Sequence, residues 1–324
     1  MRLSLAACFT CAALPALAET PVLTVLTYDS FTSEWGPGPA VEKAFEEACA
    51  CDLQFVAAGD GAALLARLQL EGASSPADVV LGLDTNLTAA AAATGLFAPH
   101  DQPAATGLPV AYDDPLFLPY DWGWFAFVYD KTKLPEPPAS FEALAASDVS
   151  VVIQDPRSST PGLGLLMWVK AAYGDKAADI WGGLADNIVT VTPGWSEAYG
   201  LFLEGEADMV LSYTTSPAYH RIAEQDETKD WAPFAEGHYL QVEVAGVLAA
   251  SDQPELARAF LAFTQSPAFQ SVIPETNWMY PAVETTLPQG FETARPETSL
   301  LLSADEAASL RDAALTEWQA ALAR

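Results

Sequence analysis

Basic residues are scarce: 14 Lys plus Arg stand against 43 Asp plus Glu in 324 residues, a formal net charge of −29. That balance excludes a nucleic-acid partner, because phosphate backbones are bound chiefly by Lys and Arg that displace counterions. It argues equally against an anionic membrane surface, and favours attraction of a small cation toward an acidic cleft. Histidine occurs three times (His100, His220, His238) and cysteine four times, too few for zinc clusters or a disulfide framework. Beyond the N-terminus no run nears the roughly 18 apolar residues of a membrane-spanning helix. GxSxG, HExxH, the Walker lysine and GxGxxG spacing are also missing. No catalytic residue, metal or cofactor is therefore expected, and His220 and His238 read as structural.

What is present is core material. Apolar residues make up 51% of the chain, so general disorder is excluded, and the length suits two domains. Residues 1–18 carry Arg2, an apolar stretch and Ala16-Leu17-Ala18, the pattern of a cleaved secretory signal. Export would remove Cys8 and Cys11, leaving Cys49 and Cys51 either paired in a very short ring or as two free thiols.

β-rich runs at 22–27, 53–57 and 78–83 alternate with helical stretches. One is headed by Gly36-Pro37-Gly38-Pro39, with Val41, Ala44, Phe45 and Ala48 on one face; another starts at Asp60-Gly61, with Leu64, Leu65 and Leu68 inward. A second series has strands at 124–129, 151–154, 188–192, 209–213 and 242–248, with helices at 164–173, 196–204, 218–224 and 254–264. In the last helix Leu256, Phe260 and Phe263 are expected to point inward. Ser303-x-x-Glu306 is a capping box opening a final helix with Leu310, Ala314, Trp318 and Leu322 on one side. Such alternation predicts α/β lobes, each a mainly parallel sheet flanked by helices.

In open α/β sheets ligands sit beyond the carboxyl ends of the strands. Aromatic and polar residues cluster at four such places: Tyr28-Asp29-Ser30, Trp195-Ser196, Tyr213 to Tyr219, and Asn277-Trp278-Met279-Tyr280. Aromatic faces there suit a flat ring or a cation. Asp155 to Gly164, with Arg157, Ser158, Ser159 and Thr160, follows a strand and opens a helix, which makes it the best anion candidate.

Six further segments join Asn277 to Tyr280 in marking a family. They are Leu26 to Phe31, Trp35 to Pro39, Ala77 to Asp84, Gln154 to Arg157, Gly194 to Gly200 and Leu211 to Tyr219. Together they resemble the periplasmic thiamine-binding members of the type II solute-binding proteins that serve bacterial ABC importers. The resemblance spans essentially the whole mature chain. It implies two lobes closing over a ligand, a monomer in the periplasm, thiamine and its mono- and diphosphate as ligands, and delivery to a permease with an ATPase. Carried onto matching positions, the ligand contacts would be Asp60, Gly61, Ser159, Thr160, Trp195, Tyr213, Thr214, Thr215, Ser216 and Pro217. Tyr28, Tyr219 and Trp278 would be cleft aromatics. Arg157-Ser158-Ser159-Thr160-Pro161 replaces the family's more usual Arg-Thr-Ser-Thr-Pro, leaving the hydroxyls in place. For the thiazolium cation Asp29, Asp60 and Asp84 are the candidate carboxylates.

The expected lobes are 19–120 with 244–324, and 121–243, the final helix packing on either. Two other readings compete. Tyr213 and Tyr219 as phenolate ligands would suit a receptor for ferric ion, and the acidity a receptor for polyamines. A thiamine-degrading enzyme on the same fold would need a cleft cysteine.

Overall fold

A computed structural model describes residues 20–291 and 295–323; the expected signal segment lies outside them. Eight strands form the path of one continuous sheet: β1 (Val22–Thr27), β2 (Asp52–Ala57), β3 (Val79–Asp84), β4 (Leu118–Asp130), β5 (Val151–Gln154), β6 (Ile188–Thr192), β7 (Met209–Tyr213) and β8 (His238–Leu248). Their spatial order is β2-β1-β3-β8-β4-β7-β5-β6. At one end β1 pairs in parallel with β2 and β3; at the other β5 pairs in parallel with β6 and β7. In each parallel set the inner strands β1, β3, β5 and β7 are short apolar runs buried almost throughout, as strands covered on both faces are, while the outer strands β2 and β6 leave residues exposed.

The two long strands join these sets. Through Leu118 to Trp124, β4 pairs antiparallel with β8, and through Phe125 to Tyr129 with β7. All residues of β4 and β8 are buried. Register shifts fall beside Val244 on both edges of β8, where the sheet must twist to pass from one half to the other.

Helices α1 (Gly38–Cys49), α2 (Gly61–Glu71), α3 (Thr160–Tyr173), α4 (Ala177–Leu184), α5 (Trp195–Glu204), α6 (Pro254–Thr264) and α7 (Ala304–Leu322) cover the sheet. The capping box of α7 is formed as the sequence predicts: Ser303 Oγ accepts from the Glu306 amide at 3.3 Å, and Glu306 Oε2 from the Ser303 amide at 2.9 Å. Lys170 of α3 pairs with Glu317 of α7 at 2.9 Å, and α7 packs on α3 and α4 and also touches the short helix Thr88–Ala93.

Some local expectations shift. The stretch after β1 is a turn of helix, Asp29–Thr32, rather than a strand end. The predicted 218–224 helix is Ser216–Tyr219 followed by a wider turn, His220–Glu224. In α6 the buried face is Ala257, Phe260, Leu261 and Thr264, while Leu256 and Phe263 are half-buried. Phe45 meets both Phe260 and Phe263, with ring centroids 5.1 Å apart in each pair. On α7, Ala307 and Ala321 take buried positions and Leu310 and Leu322 are half-buried. Cys49 and Cys51 are disulfide-bonded: Ala50 adopts φ 52° and brings their Cα atoms to 5.2 Å, inside the range a disulfide spans.

Candidate functional site

The carboxyl ends of the parallel strands and the middle of β8 converge on a cleft of about 530 Å³, within the usual span of small-molecule sites. Seven aromatic residues line it: Tyr28, Trp35, Trp195, Tyr199, Tyr213, Tyr219 and Trp278. Its carboxyl groups are Asp60, Glu243 and Glu275, and its described lining contains no Lys, Arg or His. Such walls attract a flat cation and repel a bare anion.

One wall is fixed by the start of α5. The Trp195 indole donates to Ser212 Oγ at 2.8 Å, and Ser212 in turn bonds Ser216 Oγ at 2.8 Å. Its ring stacks on Tyr199 at 5.0 Å, with half-exposed Trp35 at 6.2 Å. On the other wall Trp278 meets Tyr219 edge-on at 5.4 Å. Trp278 sits at φ 56°, a region costly for a large side chain, so the fold holds this ring in place against its backbone preference. Tyr219 donates to Glu224 at 2.8 Å, and burial, with that carboxylate, pushes its phenol up to about 12.

The floor is a buried acid pair. Glu243 on β8 stands directly opposite Asp121 on β4, and both carboxyls are buried. Glu243 Oε2 also accepts from Tyr120 at 2.7 Å and Tyr28 at 3.1 Å; Asp121 Oδ2 accepts from Asn277 Nδ2 at 2.7 Å. Two neighbouring carboxyls held away from water favour keeping a proton on one of them. Burial first, with nearby Asp60 adding, raises Glu243 to about 7 despite its tyrosine donors, and burial and Glu243 raise Asp121.

At the rim the two halves touch. Asp60 Oδ2 accepts from Ser159 Oγ at 2.7 Å, Gly61 N approaches Thr160 Oγ1 at 3.2 Å, and Ala63 N donates to Ser158 O at 3.0 Å. A Cβ at position 61 would collide with the Thr160 hydroxyl and stand 2.8 Å from the Gly82 carbonyl, so glycine is required there for close approach. Burial raises Asp60, with Ser159 and the Gly61 amide opposing.

Of the sequence candidates, Tyr28, Asp60, Trp195, Tyr213, Ser216, Tyr219 and Trp278 line the cleft. Gly61, Ser159 and Thr160 lie beneath its rim in the contact between halves, fully or almost fully buried. Thr214, Thr215 and Pro217 are buried behind Tyr213: the Thr214 amide donates to Trp124 O at 2.9 Å. Asp29 is outside the cleft; its carboxylate accepts from the Gly59 amide at 2.9 Å and braces the loop carrying Asp60. Asp84 is also outside, accepting from Asn86 at 2.6 Å, and burial raises it to about 7. Arg157 is held by Asp155 and lies over Trp318 rather than in the cleft. His220 bonds Tyr199 and Glu224, while His238 bonds Phe125 O and the Phe234 amide and is lowered to about 4 by burial. Reading by strand ends missed Gln241 and Glu243, whose only sequence signal is two polar residues inside a long apolar strand.

Comparison with known proteins places this geometry. The sequence model of bacterial extracellular solute-binding proteins matches residues 37–271. The thiamine-binding periplasmic protein of Escherichia coli is 57% identical over 308 residues, 94% of each chain. Its Brucella suis counterpart is 51% identical over 317 residues, 96% of this chain and 95% of its own. A solved periplasmic thiamin binding protein superposes with a TM-score of 0.93 at 55% identity, covering 97% of this chain and 100% of its own. Iron-bound HitA from Pseudomonas aeruginosa, at 21% identity and a TM-score of 0.76, shares the fold.

Proposed function

The chain belongs to the bacterial extracellular solute-binding protein family, and on that premise we propose that it is the periplasmic receptor of an ABC importer that captures thiamine in the aromatic cleft. The observation that carries this reading is a lining of seven aromatic residues and three carboxyls without one Lys, Arg or His among the described residues. A permanent thiazolium cation is stabilised there by ring faces and by the acid pair on the floor. A single desolvated cation–aromatic contact contributes about 2 kcal/mol, so several must act together to approach the roughly 12 kcal/mol of nanomolar binding.

The hydroxyethyl arm of the ligand, or its mono- or diphosphate, points toward the rim, where Asp60, Gly61, Ser159 and Thr160 come together as the lobes close. Opening breaks the Asp60–Ser159 bond and frees the α3 amide ends for an anionic tail. The lobes comprise residues 20–120 with the return from 244, and 121–243 with α7 against them; they work as a monomer that hands its cargo to a permease with an ATPase. Binding, rather than chemistry on the ligand, fits the two described cysteines, which are joined to each other at the end of α1 and offer no cleft thiolate.

Titration calorimetry of protein unfolded, dialysed and refolded tests the reading. Tight one-to-one binding of thiamine, with polyamines and ferric ion failing to compete, is the expected result. No heat with thiamine, or recovery of altered thiamine after long incubation, would remove it.

A further inference from the structure

Three glutamines are buried among the described residues, and two of them have at least one hydrogen-bond partner. Gln154 is half satisfied, its Nε2 donating to Leu211 O at 2.9 Å while its Oε1 has no partner among the described residues; Gln270 donates to Tyr120 O at 3.0 Å and accepts from the Val283 amide at 3.0 Å. Gln241 differs. It is 0% exposed, it lines the cleft, and neither Oε1 nor Nε2 has a hydrogen-bond partner among the described residues. An amide removed from water with both ends unpaired is destabilising unless something else satisfies it.

Its position is fixed. Gln241 stands two residues before Glu243, so both side chains project from the same face of β8. Its backbone is opposite Gly123 on β4, where a Cβ would lie 2.8 Å from Met279 Cε; Met279 packs there and walls the cleft beside Gln241. Glu243 Oε2 is already occupied by two tyrosine hydroxyls. Gln241 is left as a free donor–acceptor pair on the floor.

We propose that Gln241 reads the hydrogen-bonding edge of the ligand's nitrogen heterocycle, its Oε1 accepting from an amino group while its Nε2 donates to the adjacent ring nitrogen. This rests on the thiamine reading and says which part of the ligand meets the floor. A phosphate offers only acceptors, and the thiazolium ring carbons offer neither donor nor acceptor of comparable strength; the aminopyrimidine presents both side by side. The same amide pairing reads adenine through its amino group and neighbouring ring nitrogen. Gln241 thereby sets specificity, while the aromatic walls supply affinity for any flat cation.

The test titrates wild type and Gln241→Leu at pH 7.5 with two ligands: thiamine, and the same hydroxyethyl-methylthiazolium carrying benzyl in place of the aminopyrimidine. Gln241→Leu is expected to weaken thiamine about 10- to 100-fold, the worth of one bidentate pair. Binding of the benzyl compound should stay within about threefold, because it never uses the amide. Unchanged thiamine affinity overturns the proposal, and so does an equal loss for both ligands, which would make Gln241 a purely structural residue. If circular dichroism finds the leucine variant unfolded, Gln241→Met is put through the same titrations and judged by the same outcomes. Failure of wild type to bind thiamine is a separate result that removes the receptor reading itself.

Discussion

Replacing Glu243 by Gln tests whether the floor of the cleft holds a shared proton. The amide keeps the shape, still accepts from Tyr28 and Tyr120, and gives Asp121 a permanent donor. In the wild-type protein Glu243 titrates near 7 instead of its ordinary 4.5, mainly because burial penalises the anion. A rise of that size is about 3 kcal/mol of linkage between protonation and folding. The folded state holds the proton more tightly than the unfolded chain. The stabilisation is therefore complete below about pH 4.5, lost as pH rises toward about 7, and flat above. Between pH 5.5 and 8 the ligand-free wild type should lose about 2 kcal/mol from this group, or roughly 3 °C in Tm for a chain of this length. Asp84, also raised to about 7 by burial, and Asp60 titrate in both proteins and cancel in the comparison, whereas Asp121 keeps its burial rise but loses the part due to Glu243, which adds to the same difference. Differential scanning calorimetry of both proteins at pH 5.5 and 8 reads the difference directly. If the two Tm values fall in parallel with pH, Glu243 holds no extra proton and the account of the floor is wrong.

Two further outcomes follow from the same cleft. Trp195→Ala and Trp278→Ala should each weaken thiamine about 10-fold or more, the scale of one desolvated cation–aromatic contact, while circular dichroism stays native; wild-type affinity in both variants would end the aromatic-wall argument. A cation beside Glu243 favours its ionised form, so thiamine affinity should rise up to about tenfold from pH 6 to pH 8 in wild type and hardly change in Glu243→Gln. Calorimetry at the two pH values checks this, and an affinity that falls with pH would place the charge elsewhere.

The site was legible where its chemistry coincided with punctuation in the chain. Trp195, Tyr213, Tyr219 and Trp278 follow strands or turns, and strand ends in such sheets face the ligand. The carboxylates were harder. Asp29, Asp60 and Asp84 all follow apolar runs and look alike locally, yet only Asp60 faces the cleft. Asp29 is turned aside by the Gly59 amide and Asp84 by Asn86. Glu243 and Gln241 had no punctuation at all, because they lie within an uninterrupted buried strand.

The pattern of apolar residues and chain breakers determined by itself that strands such as Val151–Gln154, Ile188–Thr192 and Met209–Tyr213 would form, since a strand's existence depends on its own residues and their flanks. It also wrote the capping box of α7, a contact confined to four consecutive residues. The tertiary structure alone decided that Glu243 would face Asp121, that Gln241 would be left without a partner among the described residues, and that Glu317 of α7 would meet Lys170 of α3. Each of these depends on which distant segment arrives opposite, and neither the period nor the composition of one segment encodes the register of another.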